Sequence, residues 1–230
     1  LYCLHDLSLD RTTTMKGEVR LKTSAEVDQA RVSIPRLGPR WQGSNMQPVP
    51  RLRDVLEQVG GKAVLCIEPK DDSAYPVLIE LVEQLGLKDS VIIKLDYQSP
   101  RISQAQKAGY PIFAYLGNAE VATATNVRSL AKRLDSTRDV MVLPTRNNQE
   151  SPDRDVYQAA VGTGLPIWVF PVHRRVDVEY FSLLGVEGMV AASLAYSAQS
   201  TAALKADDWA SEQLTPGQLT RDPYSEAFKV

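Results

Sequence analysis

The sequence is poor in the features that define several protein classes. Its 2 Cys among 230 residues are too few for the disulfide framework of a small secreted domain. Its 26 basic and 28 acidic residues leave a net charge of −2, which creates no basic surface and disfavours nucleic acid as a partner. No apolar run approaches the roughly 20 residues that cross a bilayer. What remains, with 43% hydrophobic residues, is an ordinary globular composition.

Signature motifs of other classes are missing as well. There is no GxGxxG and no P-loop, which disfavours a nucleotide-binding sheet. No signal-peptide pattern is visible, but the sequence opens at Leu1 without a Met, so both a cytoplasmic and a secreted location stay open. The pattern carries no information on oligomeric state.

A strand and helix alternation begins at residue 63. Its apolar runs are rich in Val and Ile and are continuous, as strands buried on both faces are. Helical patterns separate several runs, and a Gly follows the helix at 86, 109, 164 and 185, the usual C-cap position. This order predicts an α/β fold with a parallel sheet, either open and doubly wound or a (β/α)8 barrel. The six runs are 63–67, 91–95, 111–116, 140–143, 166–172 and 188–191.

The domain organisation follows from these runs. We expect residues 1–196 to form the barrel domain and the polar residues 197–230 to form a C-terminal extension. Residues 6–50 would be a long loop or small insertion after an opening strand at 1–4, and loops of such length are usually functional. The opening run brings the strands to about seven of the eight in a barrel, so we expect the first strand or two upstream of Leu1.

Candidate functional residues stand where strands end, because parallel α/β domains place their sites at the carboxyl ends of strands. His5, followed by Asp6, is a candidate general acid or base, with a His satisfied inside a loop as the alternative. Glu68 and Lys70 share one face and would suit a divalent cation and a phosphate oxygen. The alternative for this pair is a buried ion pair.

Strand parity also places both cysteines. Cys3 shares a face with His5, and Cys66 shares a face with Glu68. We interpret both as buried, free thiols that fill space below the site, with a disulfide or a metal role as the alternative.

Several motifs resemble those of glycerophosphodiester phosphodiesterases. The resemblance rests on HDLSLDRTT at 5–13, PRLRDVL at 50–56 and CIEPK at 66–70, with looser matches at 164–168 and 185–190. These motifs stand in the family's order over roughly residues 1–192. The resemblance implies a barrel of the phosphatidylinositol-phosphodiesterase type and hydrolysis of a small glycerophosphodiester to glycerol phosphate and an alcohol. Attack by water and attack by a neighbouring glycerol hydroxyl fit equally well.

The resemblance also implies roles for single residues. His5 would be one of two catalytic histidines, with Asp6 behind it, and Glu68 would be one of three acidic ligands of Ca²⁺ or Mg²⁺. The implied contacts with substrate come from Lys70, which would hold a phosphate oxygen, from Trp168, which would line the pocket mouth, and from the capping loop with Arg11.

The sequence departs from the family pattern at both ends. The opening His-Arg-Gly strand and the Glu-x-Asp strand, which would bring the second His and two metal ligands, are not found and would lie upstream of Leu1. Ala191-Ala192-Ser193-Leu194 replaces the closing Thr-Asp-x-Pro. Two alternatives therefore stay open: a related lipid phosphodiesterase of the lysophospholipase D or sphingomyelinase D type, and a non-catalytic barrel that has lost its site.

Overall fold

A computed structural model describes residues 1–34, 42–145, 152–172 and 175–191. The chain divides into two compact units, Leu1–Ile92 and the residues from Ile93 onward, and each is described by itself. The helices are α1 Ser24–Val27, α2 Leu52–Val59, α3 Ala74–Gln84, α4 Arg101–Lys107, α5 Ala124–Ala131, α6 Arg154–Val161 and α7 Arg175–Leu183. The strands are β1 Leu65–Ile67, β2 Val91–Asp96, β3 Ile112–Tyr115, β4 Val140–Pro144, β5 Ile167–Val172 and β6 Gly188–Ala191. The extension predicted at 197–230 lies outside the described residues.

The six strands lie where the apolar runs predict them, within two residues at each end. In the second unit β2, β3, β4, β5 and β6 pair in parallel, each with the next strand along the chain. A helix lies between every two of these strands. A doubly wound sheet reverses its strand order at a switch point, and this order has no reversal. The α/β class is confirmed, and the connectivity is that of a (β/α)8 barrel.

The opening residues do not form the strand that the sequence predicts. Tyr2 makes one isolated antiparallel bridge with Arg51. The Cys3 N–H donates to the Pro50 carbonyl at 2.9 Å, and the Leu52 N–H donates to the Leu1 carbonyl at 3.0 Å. The prediction of a strand at 1–4 is wrong, because the backbone pairs with the segment that leads into α2. An apolar run alone does not show whether a segment joins the parallel sheet or pairs with a neighbouring loop.

The long loop after residue 5 is ordered by short local pairings. Isolated antiparallel bridges join Ser8 to Glu18, Thr13 to Val32 and Arg31 to Pro48. A capping box starts α1: the Thr23 hydroxyl accepts from the Glu26 N–H, and the Glu26 carboxylate accepts from the Thr23 N–H at 2.7 Å. The loop is therefore a structured element in its described residues.

The predicted glycine positions are confirmed. Gly86, Gly109, Gly164 and Gly185 have φ angles of 66°, 87°, 73° and 88°, and each follows a helix. A side chain in this left-handed region clashes with its own backbone, which is why glycine ends these helices.

The sheet of the second unit has two different faces. Along β2 and β5 fully buried residues alternate with half-buried ones, whereas β4 is buried throughout. The half-buried face carries Tyr115, Trp168 and Phe170. Trp168 meets buried Phe113 edge to face at 5.9 Å, and Tyr115 meets Phe170 in the same way at 6.4 Å. An aromatic layer therefore covers this face.

Gly188 leaves room for one ring of that layer. A Cβ atom at Gly188 would lie 2.4 Å from Cε2 and Nε1 of Trp168. We expect Gly188→Ala to lower the free energy of unfolding by about 1–3 kcal/mol, because the indole must move. Urea denaturation measures this loss. Gly117→Ala is the matched control, since its Cβ would meet only Tyr115 Cε2 at 3.7 Å, and equal stability of the two variants would contradict the prediction.

Candidate functional site

The first unit holds an open cleft of about 800 Å³. This size is within the range of small-molecule sites. His5, Asp6, Glu68 and Lys70 all line the cleft, although more than 60 positions separate the two pairs in the sequence. The structure thus brings together the residues that the HD and IEPK motifs single out. The apolar part of the wall includes Leu4, Leu65, Ile67, Val77 and Leu78.

Two of the lining residues, His5 and Asp6, form a hydrogen-bonded series with Arg11. His5 Nδ1 is 2.7 Å from Asp6 Oδ1. Arg11 donates to the same carboxylate twice, from Nε to Oδ2 at 2.6 Å and from Nη2 to Oδ1 at 2.7 Å. The arginine fork therefore holds Asp6 in a bidentate geometry, which fixes its orientation. The His5 side chain is 78% exposed, so its ring is open to solvent.

The contacts between Arg11, Asp6 and His5 change the pKa values of Asp6 and Arg11 in opposite directions. Hydrogen bonds from Arg11 hold the pKa of Asp6 far below its usual range, partial burial acts in the opposite direction, and the contact with His5 lowers the pKa further. The same pair raises the pKa of Arg11. Asp6 is consequently a carboxylate at neutral pH, and a carboxylate accepts hydrogen bonds without donating any.

The loop that carries Arg11 is shaped by the other residues of its motif. The buried Thr13 hydroxyl donates to the Leu9 carbonyl at 2.7 Å and accepts from the Met15 N–H at 3.1 Å. The Gly17 N–H, at a φ of 95°, donates to the Asp10 carboxylate at 3.2 Å. These hydrogen bonds stabilise the loop of residues 9–17, and in this loop the Arg11 side chain contacts Asp6. The sequence pattern did not predict this role for Asp10, Thr13 and Gly17.

A second charged cluster holds the segment that leads to His5. The Asp28 carboxylate accepts from the Tyr2 hydroxyl at 2.8 Å and from Arg51, whose Nε lies 2.9 Å away. The Arg51 guanidinium also lies 5.8 Å from the centre of the Tyr2 ring. These contacts tie the chain start to α1 and α2, and they fix the direction in which residues 3–6 run into the cleft.

Glu68 and Lys70 contact each other directly. Lys70 Nζ lies 2.8 Å from Glu68 Oε2, and the two side chains are 29% and 15% exposed. The prediction that both share one face is confirmed by this contact. The alternative was a buried ion pair. The pair is present but half-buried, and it places one carboxylate and one ammonium at the cleft wall.

The cysteines line the cleft and are not buried as predicted. Cys3 lines the cleft with His5, and Cys66 lines it with Glu68. Neither is joined in a disulfide within the described residues, and both are exposed. The prediction of burial is wrong, because strand parity sets the face of a side chain and not the packing above that face, which here is an open cleft.

The cleft does not by itself complete a divalent cation site. Three carboxylates line it, and Glu68 is paired with Lys70, Asp6 with Arg11, and Asp71 with the Ser73 N–H and hydroxyl. Within the ranges that the structure describes, no three His, Cys, Asp or Glu side chains come together as metal ligands. A hard cation needs six or more oxygen ligands, and these side chains do not supply them.

Arg11 and Trp168, the two other residues predicted to contact substrate, lie in different units of the structure. Arg11 lies beside the cleft, but Asp6 already occupies two of its donor nitrogens. Trp168 lies on β5 in the second unit, within the aromatic layer described above. Its part in a substrate pocket stays a prediction. No described helix has both the length and the apolar character that crossing a membrane requires.

Comparisons with known proteins find relatives through structure and not through sequence. No protein-family model matches the sequence, and no curated protein matches it. A glycerophosphodiester phosphodiesterase of Agrobacterium tumefaciens matches 83% of this chain and 77% of its own with a TM-score of 0.56 and 21% identity. One from Thermotoga maritima matches 82% of this chain and 74% of its own, with a TM-score of 0.57 and 15% identity.

A third match carries a bound product. A phosphodiesterase of Oleispira antarctica, solved with sn-glycerol-3-phosphate, matches 82% of this chain and 74% of its own, with a TM-score of 0.60 and 15% identity. The predicted resemblance is therefore confirmed at the level of the fold.

Proposed function

We propose that this protein is a phosphodiesterase that hydrolyses glycerophosphodiesters to glycerol phosphate and an alcohol. The observation that carries the proposal is the convergence of His5, Glu68 and Lys70 on one cleft, in a fold shared with enzymes of that activity. The product bound to the Oleispira enzyme is the product expected here. The substrate class is thus a small phosphodiester with a glycerol group.

The cleft residues have complementary chemistry for this reaction. The Lys70 ammonium is a point charge suited to a phosphate oxygen, and the exposed imidazole of His5 can exchange a proton. In the hydrolysis, an O–H bond of the attacking water breaks as its oxygen bonds to phosphorus, and the bond from phosphorus to the alcohol oxygen breaks. One histidine accepts the water proton, and the alcohol oxygen gains a proton as it leaves. We propose His5 as one partner of this exchange, in the role of one of the family's two catalytic histidines.

The direct test is an assay of the natural full-length protein. It is incubated with glycerophosphocholine and with Ca²⁺ or Mg²⁺, and sn-glycerol-3-phosphate is measured by a coupled dehydrogenase. Release of glycerol phosphate supports the proposal. No release under either condition, with an active relative releasing product in the same assay, would favour the non-catalytic barrel and overturn the proposal.

The cleft wall gives some support to a second substrate. Leu65, Ile67 and Val77 offer an apolar surface beside the charged residues, which suits a glycerol group that carries an acyl chain. Lysophosphatidylcholine is therefore included as a second substrate in the assay. Faster release of choline from this lipid than from glycerophosphocholine would replace the first activity by a lysophospholipase D activity.

We also propose Glu68 as one ligand of a divalent cation, in the role of one of the three acidic ligands of the family pattern. Such a cation would neutralise charge on the phosphodiester. Glu68→Gln is expected to weaken Mg²⁺ or Ca²⁺ binding to the full-length protein at least about tenfold in calorimetry, because a ligand charge is removed. Glu57→Gln, on α2 beside Arg53, is the control. Equal affinity of Glu68→Gln and the natural protein for Mg²⁺ or Ca²⁺ would contradict the assignment of Glu68 as a metal ligand.

A further inference from the structure

The chain from Arg11 through Asp6 to His5 determines more than the place of one side chain. The distance of 2.7 Å between His5 Nδ1 and Asp6 Oδ1 requires one hydrogen between them. Asp6 is ionised at neutral pH, so it cannot provide that hydrogen. The hydrogen must therefore belong to His5 Nδ1, and in the neutral ring the other nitrogen, Nε2, then carries a free lone pair.

Arg11 makes this arrangement rigid. A carboxylate that contacts only a neighbouring histidine can rotate about its side-chain bonds, and two parallel donors from a planar guanidinium remove that freedom. Arg11, which provides both donors, lies in the loop that hydrogen bonds of Thr13 and Gly17 hold in place. Two of the three guanidinium nitrogens of Arg11, Nε and Nη2, already donate to Asp6.

We propose that Asp6 and Arg11 are positioning residues, which hold His5 in the tautomer with a hydrogen on Nδ1 and so make Nε2 the nitrogen that exchanges the proton. The proposal deepens the proposed function and rests on it for its catalytic meaning. It assigns Arg11 to the orientation of His5 and not to contact with substrate. The logic is that of other acid–base sites, where a carboxylate selects the tautomer and orientation of the catalytic imidazole.

The tautomer can be measured without any turnover. The chain contains two histidines, at 5 and 173, so His5→Gln assigns the imidazole signals of ¹⁵N-labelled protein by the loss of one set. At a pH where the ring is neutral, we expect Nδ1 of His5 in the protonated range and Nε2 in the unprotonated range. In Asp6→Ala, we expect the Nδ1 signal to move towards the unprotonated range.

A second variant covers the case in which Asp6→Ala fails to fold. Arg11→Gln keeps the carboxylate and removes the fork, so we expect a partial shift of the same signals. Arg53→Gln removes an equal charge from α2, outside the cleft, and is expected to leave them unchanged. A protonated Nε2 in the natural protein, or a His5 tautomer unchanged in both variants, would overturn the proposal.

Steady-state kinetics of the same variants provide a second test of the proposal. In Asp6→Ala and Arg11→Gln we expect kcat for glycerophosphocholine to fall about 10- to 100-fold, with KM little changed. A rise of KM at constant kcat in Arg11→Gln would instead mean that Arg11 binds substrate, and it would overturn the assignment. If the natural protein hydrolyses no glycerophosphodiester, the proposed function fails, while the tautomer measurement still decides whether Asp6 and Arg11 orient His5.

Discussion

Replacing His5 by alanine is expected to lower kcat for glycerophosphodiester hydrolysis by about 10²- to 10⁴-fold. A positioned acid or base contributes a factor of this size, and alanine has no group that exchanges a proton. The side chain is 78% exposed, so its loss removes little packing, and the free energy of unfolding is expected to change by less than about 0.5 kcal/mol. Steady-state kinetics and urea denaturation of the same samples measure the two effects.

The control separates chemistry from the integrity of the cleft. Asp54→Ala alters the charge of α2 in the first unit and does not touch the cleft, so it is expected to keep full activity. Retained turnover in His5→Ala would remove His5 from the mechanism. A large loss of stability in that variant would instead identify a structural histidine, which the sequence left open as an alternative.

Replacing Asp139 by alanine is expected to lower the free energy of unfolding by about 3–5 kcal/mol. Asp139 is fully buried, and its carboxylate accepts from the Ile112 N–H at 3.0 Å, the Asp135 N–H at 2.9 Å and Gln106 Nε2 at 2.6 Å. Arg138 Nε lies 4.0 Å from the same carboxylate. Alanine would leave these donors unpaired in the interior, and each unpaired donor carries a desolvation cost.

Two further variants make that measurement specific. Asp139→Asn keeps one acceptor oxygen of similar shape and is expected to lose a smaller part of the stability. Asp155→Ala, an exposed carboxylate in the first turn of α6, is expected to cost no more than about 1 kcal/mol. Asp139→Ala with a stability equal to that of Asp155→Ala would show that the buried network contributes nothing measurable.

The strands and helix ends of this protein could be predicted from local sequence. Apolar runs such as 140–143 and 166–172 became β4 and β5, because continuous Val and Ile are stable only where both sheet faces are covered. Gly86 and Gly185 ended their helices, because a positive φ is costly for other residues. Both are short-range effects, so one sequence is enough to detect them.

The opening segment and the cysteines mark the limit of that reasoning. Residues 1–4 have the composition of a strand, yet their partner is the segment before α2, and composition does not select a partner. Cys3 and Cys66 are exposed, contrary to the prediction of burial, because exposure depends on what packs above a side chain. Pairing and coverage are long-range properties that no local pattern records.

The sequence by itself determined the α/β alternation of this protein and the motifs that carry His5, Glu68 and Lys70, because periodicity and spacing are local. Only the tertiary structure decided how the side chains meet. It paired Arg11 with Asp6 and Lys70 with Glu68, and it buried Asp139 against the Ile112 N–H and the Gln106 side chain from other segments. Hydrogen bonds of this kind depend on distances of a few tenths of an ångström, and the folded chain alone sets those distances.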